Sequence, residues 1–285
     1  MTDCSTTDAP SRQLRSPRRI ALIFKRLDAR GGAEVMGRVL LRLFTGLGRE
    51  LTVIARKGRV PAGVRFLRID PFHLGRIGRH TGFARAARRA CVKLAPDLIY
   101  SREHVPGCHI YHAGGGAHAE MLHQTRRVEP RWKRTLDRWH TYHRGRLRLE
   151  RQMYASGELR AVICNSAMVR DDIAGRFGLP GTMLHVLENG IDTAYYQRGA
   201  DADARRAALR AKLAVGDDAL VLLFVGSGFH RKGLAVAIRA LALAQAPAHL
   251  VVVGRDRQRR RFQRQAARHG LAQRVHFVGG QADVR

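Results

Sequence analysis

From Val221 to Gly233 the chain reads Val-Leu-Leu-Phe-Val-Gly-Ser-Gly-Phe-His-Arg-Lys-Gly. Five apolar residues in succession suit a strand covered on both faces of a parallel sheet. Gly226 and Gly228 let the backbone turn sharply and leave room for a ligand to come close. Arg231 and Lys232 follow, beside a helix expected from about Leu234 to Leu243. The unpaired N–H groups at such a helix start favour an anion. A phosphate-bearing ligand fits this arrangement. With 52 Lys and Arg among 285 residues, an adjacent pair by itself is equally a solvated turn. The order of strand, glycine turn, cations and helix carries the reading.

The rest of the chain repeats that alternation. Arg19–Phe24 is a short apolar strand, and a loop ending in Arg30-Gly31-Gly32-Ala33-Glu34 leads into a helix. Val35, Val39, Leu40, Leu43 and Phe44 are spaced to give that helix one apolar face. Further strands are expected at Glu50–Ala55, Val64–Ile69, Pro96–Tyr100, Cys108–His112, Arg160–Asn165 and Met183–Leu187, with a basic helix at Gly82–Ala95. Ser166 is placed to cap a helix starting at Ala167 and ending near Gly175 to Gly178. After a turn at Glu188–Asp192 comes a polar helix, Ala202 to Leu213. Strands at Leu220–Val225, His249–Val253 and Val275–Val278 then alternate with helices at Leu234–Ala244 and Arg257–His269. Alternating strands and helices predict parallel, doubly wound sheets with ligands at the carboxyl ends of the strands. We expect a tail at residues 1–15, a Rossmann-like acceptor-side domain at 16–185 and a nucleotide-sugar domain at 186–285, facing a cleft.

The formal net charge is +29, a field that attracts phosphate-rich surfaces. The stretch Arg126 to Arg151 is dense in arginine, with Trp132, Trp139, Tyr142 and Leu147 between the cations. A helix of that kind can lie in a membrane interface, or can be a solvated helix packed along one side. No apolar run reaches the roughly 18 residues of a membrane span. The polar start, Met1 to Ser16, shows no secretory signal. Cys4, Cys91, Cys108 and Cys164 lack metal-ligand spacing and read as incidental reduced thiols.

Five motifs in order resemble retaining glycosyltransferases of the GT-B fold: Gly31-Gly32-Ala33-Glu34, Glu188-Asn-Gly-Ile-Asp192, Gly226 to Gly233, Val251-Val-Val-Gly254 and Val275-His-Phe-Val-Gly279. The likeness is to the family 4, lipopolysaccharide core glucosyltransferase I type, over residues 19–285. It implies that Gly31 and Gly32 offer N–H groups to a donor pyrophosphate. Arg231 and Lys232 would neutralise the departing nucleoside diphosphate, together with Gly226 and Ser227, so that no metal or other cofactor is expected. Gly254, Val278 and Gly279 would lie near the base and ribose. His112 and His118, flanking Gly114 to Gly116, are the candidates beside the transferring sugar, although a glycine stands where relatives carry an aspartate. Glu34 faces an acceptor hydroxyl or, as acidic residues favour, serves in the first turn of its helix.

The resemblance further implies transfer of a hexose, with retention, from a UDP-linked donor to a lipid-linked lipopolysaccharide core or related surface glycan. The expected location is the cytoplasmic face of the inner membrane, held peripherally through Arg126 to Arg151. The family continues past Val275–Gly279 with a helix, a strand and a loop bearing two glutamates, so the second domain is expected to be incomplete and activity impaired. Two alternatives remain: an inactive remnant that binds anionic membrane, and a basic nucleic-acid-binding protein. Cations spread over both halves, with no helix-turn-helix or zinc finger, leave no specific nucleic acid expected.

Overall fold

The computed structural model describes residues 16–27, 32–128 and 141–281. These form two compact units, the first running to Gly190 and the second from Ile191. The strands of the first unit are β1 (Arg19–Ile23), β2 (Arg26–Leu27), β3 (Glu50–Ala55), β4 (Lys57–Gly58), β5 (Arg65–Arg68), β6 (Leu98–Ser101), β7 (Ile110–Ala113), β8 (Ala161–Cys164) and β9 (Leu184–Val186). Its helices are α1 (Gly32–Gly46), α2 (Gly75–Leu94), α3 (His118–Val128), α4 (Thr141–Tyr154) and α5 (Ala167–Phe177). Seven strands make a parallel sheet in the order β5-β3-β1-β6-β7-β8-β9, and β2 pairs with β4. The strand order reverses at β1, whose neighbours are β3 and β6. Ligand crevices open at the carboxyl ends of strands beside such a reversal.

The apolar run in β1 follows from burial on two sides. Leu22 packs with Leu41, Leu51 and Tyr100, while Ala21 and Ile23 join Phe83, Ala87 and Leu149. Register brings Ile23 level with Ile54 and Ser101, so Phe24, Ala55 and Arg102 leave these three strands at one level. Ser166 caps α5 as its sequence predicts, accepting the Val169 N–H at 3.3 Å, and Gly178 closes the helix at φ 65°.

The second unit contains α6 (Ala202–Lys212), β10 (Leu220–Val225), α7 (Leu234–Leu243), β11 (Ala248–Val253), α8 (Arg259–Arg268) and β12 (Val275–Gly279). Its three strands pair in parallel, β10-β11-β12. One face is filled by Leu250 and Val252 against Phe229, Leu234, Ile238 and Phe262.

Four sequence expectations need correction. The inward residue of α1 is Leu41, with Leu40 and Phe44 beside it, whereas Val39 and Leu43 are exposed. The reason is a notch: a Cβ on Gly37 would lie 2.5 Å from Leu27 Cδ1, so this side of the helix sits against the strand layer. Helix α2 begins at Gly75 rather than Gly82, so its first two turns carry Gly78 and Gly82 without interruption. A Cβ on Gly145 of α4 would meet Ile77 Cγ1 at 2.4 Å. Strand β10 is not covered on both faces: it is a sheet edge, and Leu220, Leu222, Leu223 and Val225 are exposed. Finally, the described parts of the basic stretch belong to two helices, α3 and α4, with Arg131, Trp132, Arg134, Arg138 and Trp139 outside the described residues. Along α4, Leu149, Glu150, Met153 and Tyr154 are buried, and Arg144, Arg148 and Arg151 face outward.

Candidate active site

In the second unit, all three strands run out into glycine at the carboxyl edge: Gly226 at φ 144°, Gly254 at φ 144° and Gly279 at φ 77°. The Gly226 N–H donates to the Val253 carbonyl at 2.8 Å, and the Gly254 N–H donates to Gly279 at 2.8 Å. Side chains would not fit this row. A Cβ on Gly254 would stand 2.1 Å from the Gly226 oxygen, and one on Gly226 would be 2.3 Å from Lys232 Nζ. Lys232 therefore folds back over the turn, its ammonium 3.5 Å from the Val225 carbonyl. Arg231 lies beside Gly228, which sits at φ 76°. Both cations are exposed and stand in the turn before α7, whose N-terminus no side chain caps. Glycine backbone, two cations and an uncapped helix start thus share one edge, an arrangement suited to a diphosphate.

Asp256 holds this turn in place, and the sequence reading missed it. Its carboxylate accepts the Phe229 N–H at 2.8 Å and the Gln258 N–H at 2.7 Å. Those backbone donors, chiefly Gln258 and then Phe229, hold its pKa below the usual range. The only signal in the sequence is an acidic residue two places beyond Gly254, in a segment otherwise rich in arginine. Ser227 accepts the Arg255 N–H at 3.5 Å, while Val278 is half-buried in β12.

In the first unit, His112 is buried on β7, and its Nδ1 pairs with the Tyr100 hydroxyl. Its Nε2 is buried without a partner and faces the space that Gly114 leaves open beside the Arg102 guanidinium. Burial, then Arg102, pushes the His112 pKa down to about 4, so the ring is neutral near pH 7. His118 opens α3, and its Nε2 lies 3.2 Å from His143 Nδ1 with the rings stacked. Burial and Arg146 bring it to about 4 as well. The two histidines thus have separate partners rather than forming a pair.

Around them is a polar cluster the sequence reading did not foresee. Glu150, reaching across from α4, accepts the N–H groups of His118 at 2.6 Å and Ala119 at 3.3 Å. It caps α3 in place of a local residue. His104 lies 3.5 Å from Glu150 and 2.9 Å from the Tyr111 hydroxyl. Single residues on separate elements converge here, and no spacing in the chain signals it. Of the remaining candidates, Gly31 lies outside the described residues, and Gly32 and Glu34 stand at the start of α1. Cys91, Cys108 and Cys164 are buried free thiols, with burial raising Cys91 to about 11 and Cys108 to about 12. Among the described residues, no group of His, Cys, Asp and Glu could hold a metal ion, and no helix is long and apolar enough to cross a membrane.

Parallel sheets flanked by helices, the second ending in a row of glycines beside two cations, define a doubly wound α/β protein. Residues 30–195 match the family model for Glycosyltransferase Family 4, and residues 205–285 match that for glycosyl transferases group 1. The chain belongs to glycosyltransferase family 4. It is 28% identical over 194 residues to the lipopolysaccharide glucosyltransferase WaaG of Escherichia coli K12, covering 66% of this chain and 49% of that protein. It therefore spans about half the length of the curated relative it matches. A crystal structure of WaaG superposes with a TM-score of 0.79 at 22% identity, over 93% of this chain and 71% of that one. Anabaena Alr3699/HepE, solved in complex with UDP-glucose, gives 0.62 at 20% identity, over 93% and 69%. The fold is that of the GT-B glycosyltransferases.

Proposed function

We propose that the chain transfers a hexose from a UDP-sugar to a lipopolysaccharide core or related surface glycan with retention. The observation that carries this reading is the carboxyl edge of the second unit, where Gly226, Gly254 and Gly279 clear space beside Arg231 and Lys232. In the reaction the anomeric C–O bond to the diphosphate breaks while the acceptor hydroxyl oxygen bonds to the anomeric carbon. Negative charge builds on the β-phosphate oxygen, which takes up the proton released by the acceptor hydroxyl. Arg231 and Lys232 stabilise that charge, a role a divalent metal fills elsewhere. By the family likeness, Gly31 and Gly32 would offer backbone N–H groups to the pyrophosphate, and Gly254, Val278 and Gly279 would border the nucleoside. His112, neutral with an unpartnered Nε2, faces the transferring sugar, with His118 the second candidate beside it, at the α3 start that Glu150 caps. WaaG is a lipopolysaccharide glucosyltransferase and HepE has been solved with UDP-glucose, which supports this donor and acceptor class.

The same proposal places the protein on the cytoplasmic face of an anionic membrane, near a lipid-linked acceptor. The outward arginines of α4, Arg144, Arg148 and Arg151, support that face. The test is transfer of radiolabelled glucose from UDP-glucose to deep-rough lipopolysaccharide. The expected result is incorporation that Lys232→Ala reduces at least tenfold. No transfer by correctly folded protein, across UDP-linked hexoses and glycan acceptors, would overturn the proposal.

A further inference from the structure

We propose that Lys25, His80 and Arg146 form a binding site for a phosphoryl group carried by the saccharide acceptor. The identity of the carrier rests on the glycosyltransferase reading, whereas the site stands on its own geometry. His80 is half-buried on α2, with Nε2 3.4 Å from Lys25 Nζ and Nδ1 3.1 Å from Arg146 Nη1. An ammonium and a guanidinium only donate. A neutral imidazole has one N–H and one lone pair, so in either tautomer one of these contacts sets donor against donor. A protonated ring sets both. Arg146 Nε is also buried without a partner.

The surrounding charges leave the conflict in place. Facing His80 are Arg76 on its own helix, Lys25 after β1, Arg56 after β3 and Arg146 on α4. Arg79 faces Lys25. Three of these are occupied: Arg56 bonds Asp70 at 2.8 Å, Arg79 bonds His73 at 2.9 Å, and Arg76 lies 4.4 Å over the Tyr142 ring. Glu103, whose pKa burial raises, faces both Lys25 and Arg146 and accepts the Lys25 backbone N–H, while Glu150 acts on Arg146 and accepts the His118 and Ala119 N–H groups. Burial first, then Lys25 and Arg146, drives His80 down to about 3. An anion with several oxygens would accept from Lys25, from Arg146 and from the His80 N–H together. Lys25 follows β1, where the strand order reverses, so such a guest would lie at the ligand-binding edge of the sheet.

The test is NMR titration of the His80 ring in the full chain at low salt, with inorganic phosphate, mannose 6-phosphate, mannose and phosphatidylglycerol vesicles. We expect saturable shifts with both phosphates and none with mannose, together with a rise of the His80 pKa on binding. Lys25→Met or Arg146→Met should weaken phosphate at least tenfold, and the remote Arg206→Met should leave it unchanged. A wild-type His80 that ignores phosphate overturns the proposal without recourse to any variant. A response to vesicles but not to mannose 6-phosphate overturns the assignment to the acceptor. UDP binding at Arg231 and Lys232, measured in parallel, shows separately whether the donor reading fails.

Discussion

Lys232 and Gly226 were legible as chemistry because the sequence places a strand, two glycines and two cations in consecutive order. What the order could not convey is how the cations are held. Asp256 does that from a different loop, fixing the turn through the N–H groups of Phe229 and Gln258. Removing a carboxylate that accepts two backbone donors costs on the order of 1–3 kcal/mol. We therefore expect Asp256→Ala to lower the stability of the second unit by that amount and to weaken UDP at least fivefold. Asp256→Asn, which keeps one acceptor, should recover part of both. Calorimetric titration beside urea unfolding would read the two effects, and unchanged UDP affinity in the alanine variant would show that the turn does not need this support. His112 was likewise visible as a residue, yet its unpartnered Nε2 depends on Tyr100 and Gly114 being brought to it.

At the scale of elements, strands were the easier part. Leu220–Val225 is found with the bounds expected, because consecutive apolar residues have few other uses. Helix bounds are legible where a cap marks them, as at Ser166, and less so at α2, where no side chain caps the start. In α4, glycine is a contact surface: Gly145 receives Ile77 of α2. A methyl there forces the helices apart, and overpacking of this kind costs roughly 1–3 kcal/mol. Gly145→Ala should therefore destabilise the first unit, and Ile77→Ala in the same chain should restore most of the loss. A double-mutant cycle by urea unfolding checks this, and additive losses would mean the two residues are not in contact. The apolar face of α1 was misassigned for a related reason, since Leu27 seats against Gly37 and turns Leu41 inward.

For the whole molecule, alternation of strand and helix gave the parallel α/β class. The order β5-β3-β1-β6-β7-β8-β9 depends on which helix covers which face, which no local pattern encodes. The polar cluster of the first unit was invisible for the same reason, since His80, His104 and the α4 residues Arg146 and Glu150 come from three distant parts of the chain. Its consequence is a pH dependence. Burial is the leading cause that brings His104 to about 3 and His112 and His118 to about 4, against the ordinary 6.5. Between those values the unfolded chain binds protons that the folded one refuses, so stability present above the ordinary value is lost as pH falls. The slope is up to about 1.4 kcal/mol per pH unit for each such histidine. Glu103 and Glu150, raised by burial, oppose this as they take up protons. Urea unfolding of the first unit should show stability highest near neutral pH and falling from about pH 6.5 toward 4. A flat profile would mean these rings titrate freely in the folded state.

Arg231 and Lys232, beside a row of glycines, are proposed to hold a diphosphate. The direct measurement is the affinity of the chain for UDP against UMP by calorimetric titration, in wild type and in Arg231→Ala/Lys232→Ala. UDP should bind at least tenfold more tightly than UMP, and the double variant should abolish this difference while leaving UMP little changed. Equal affinities in the wild type, or a double variant that still prefers UDP, would contradict it.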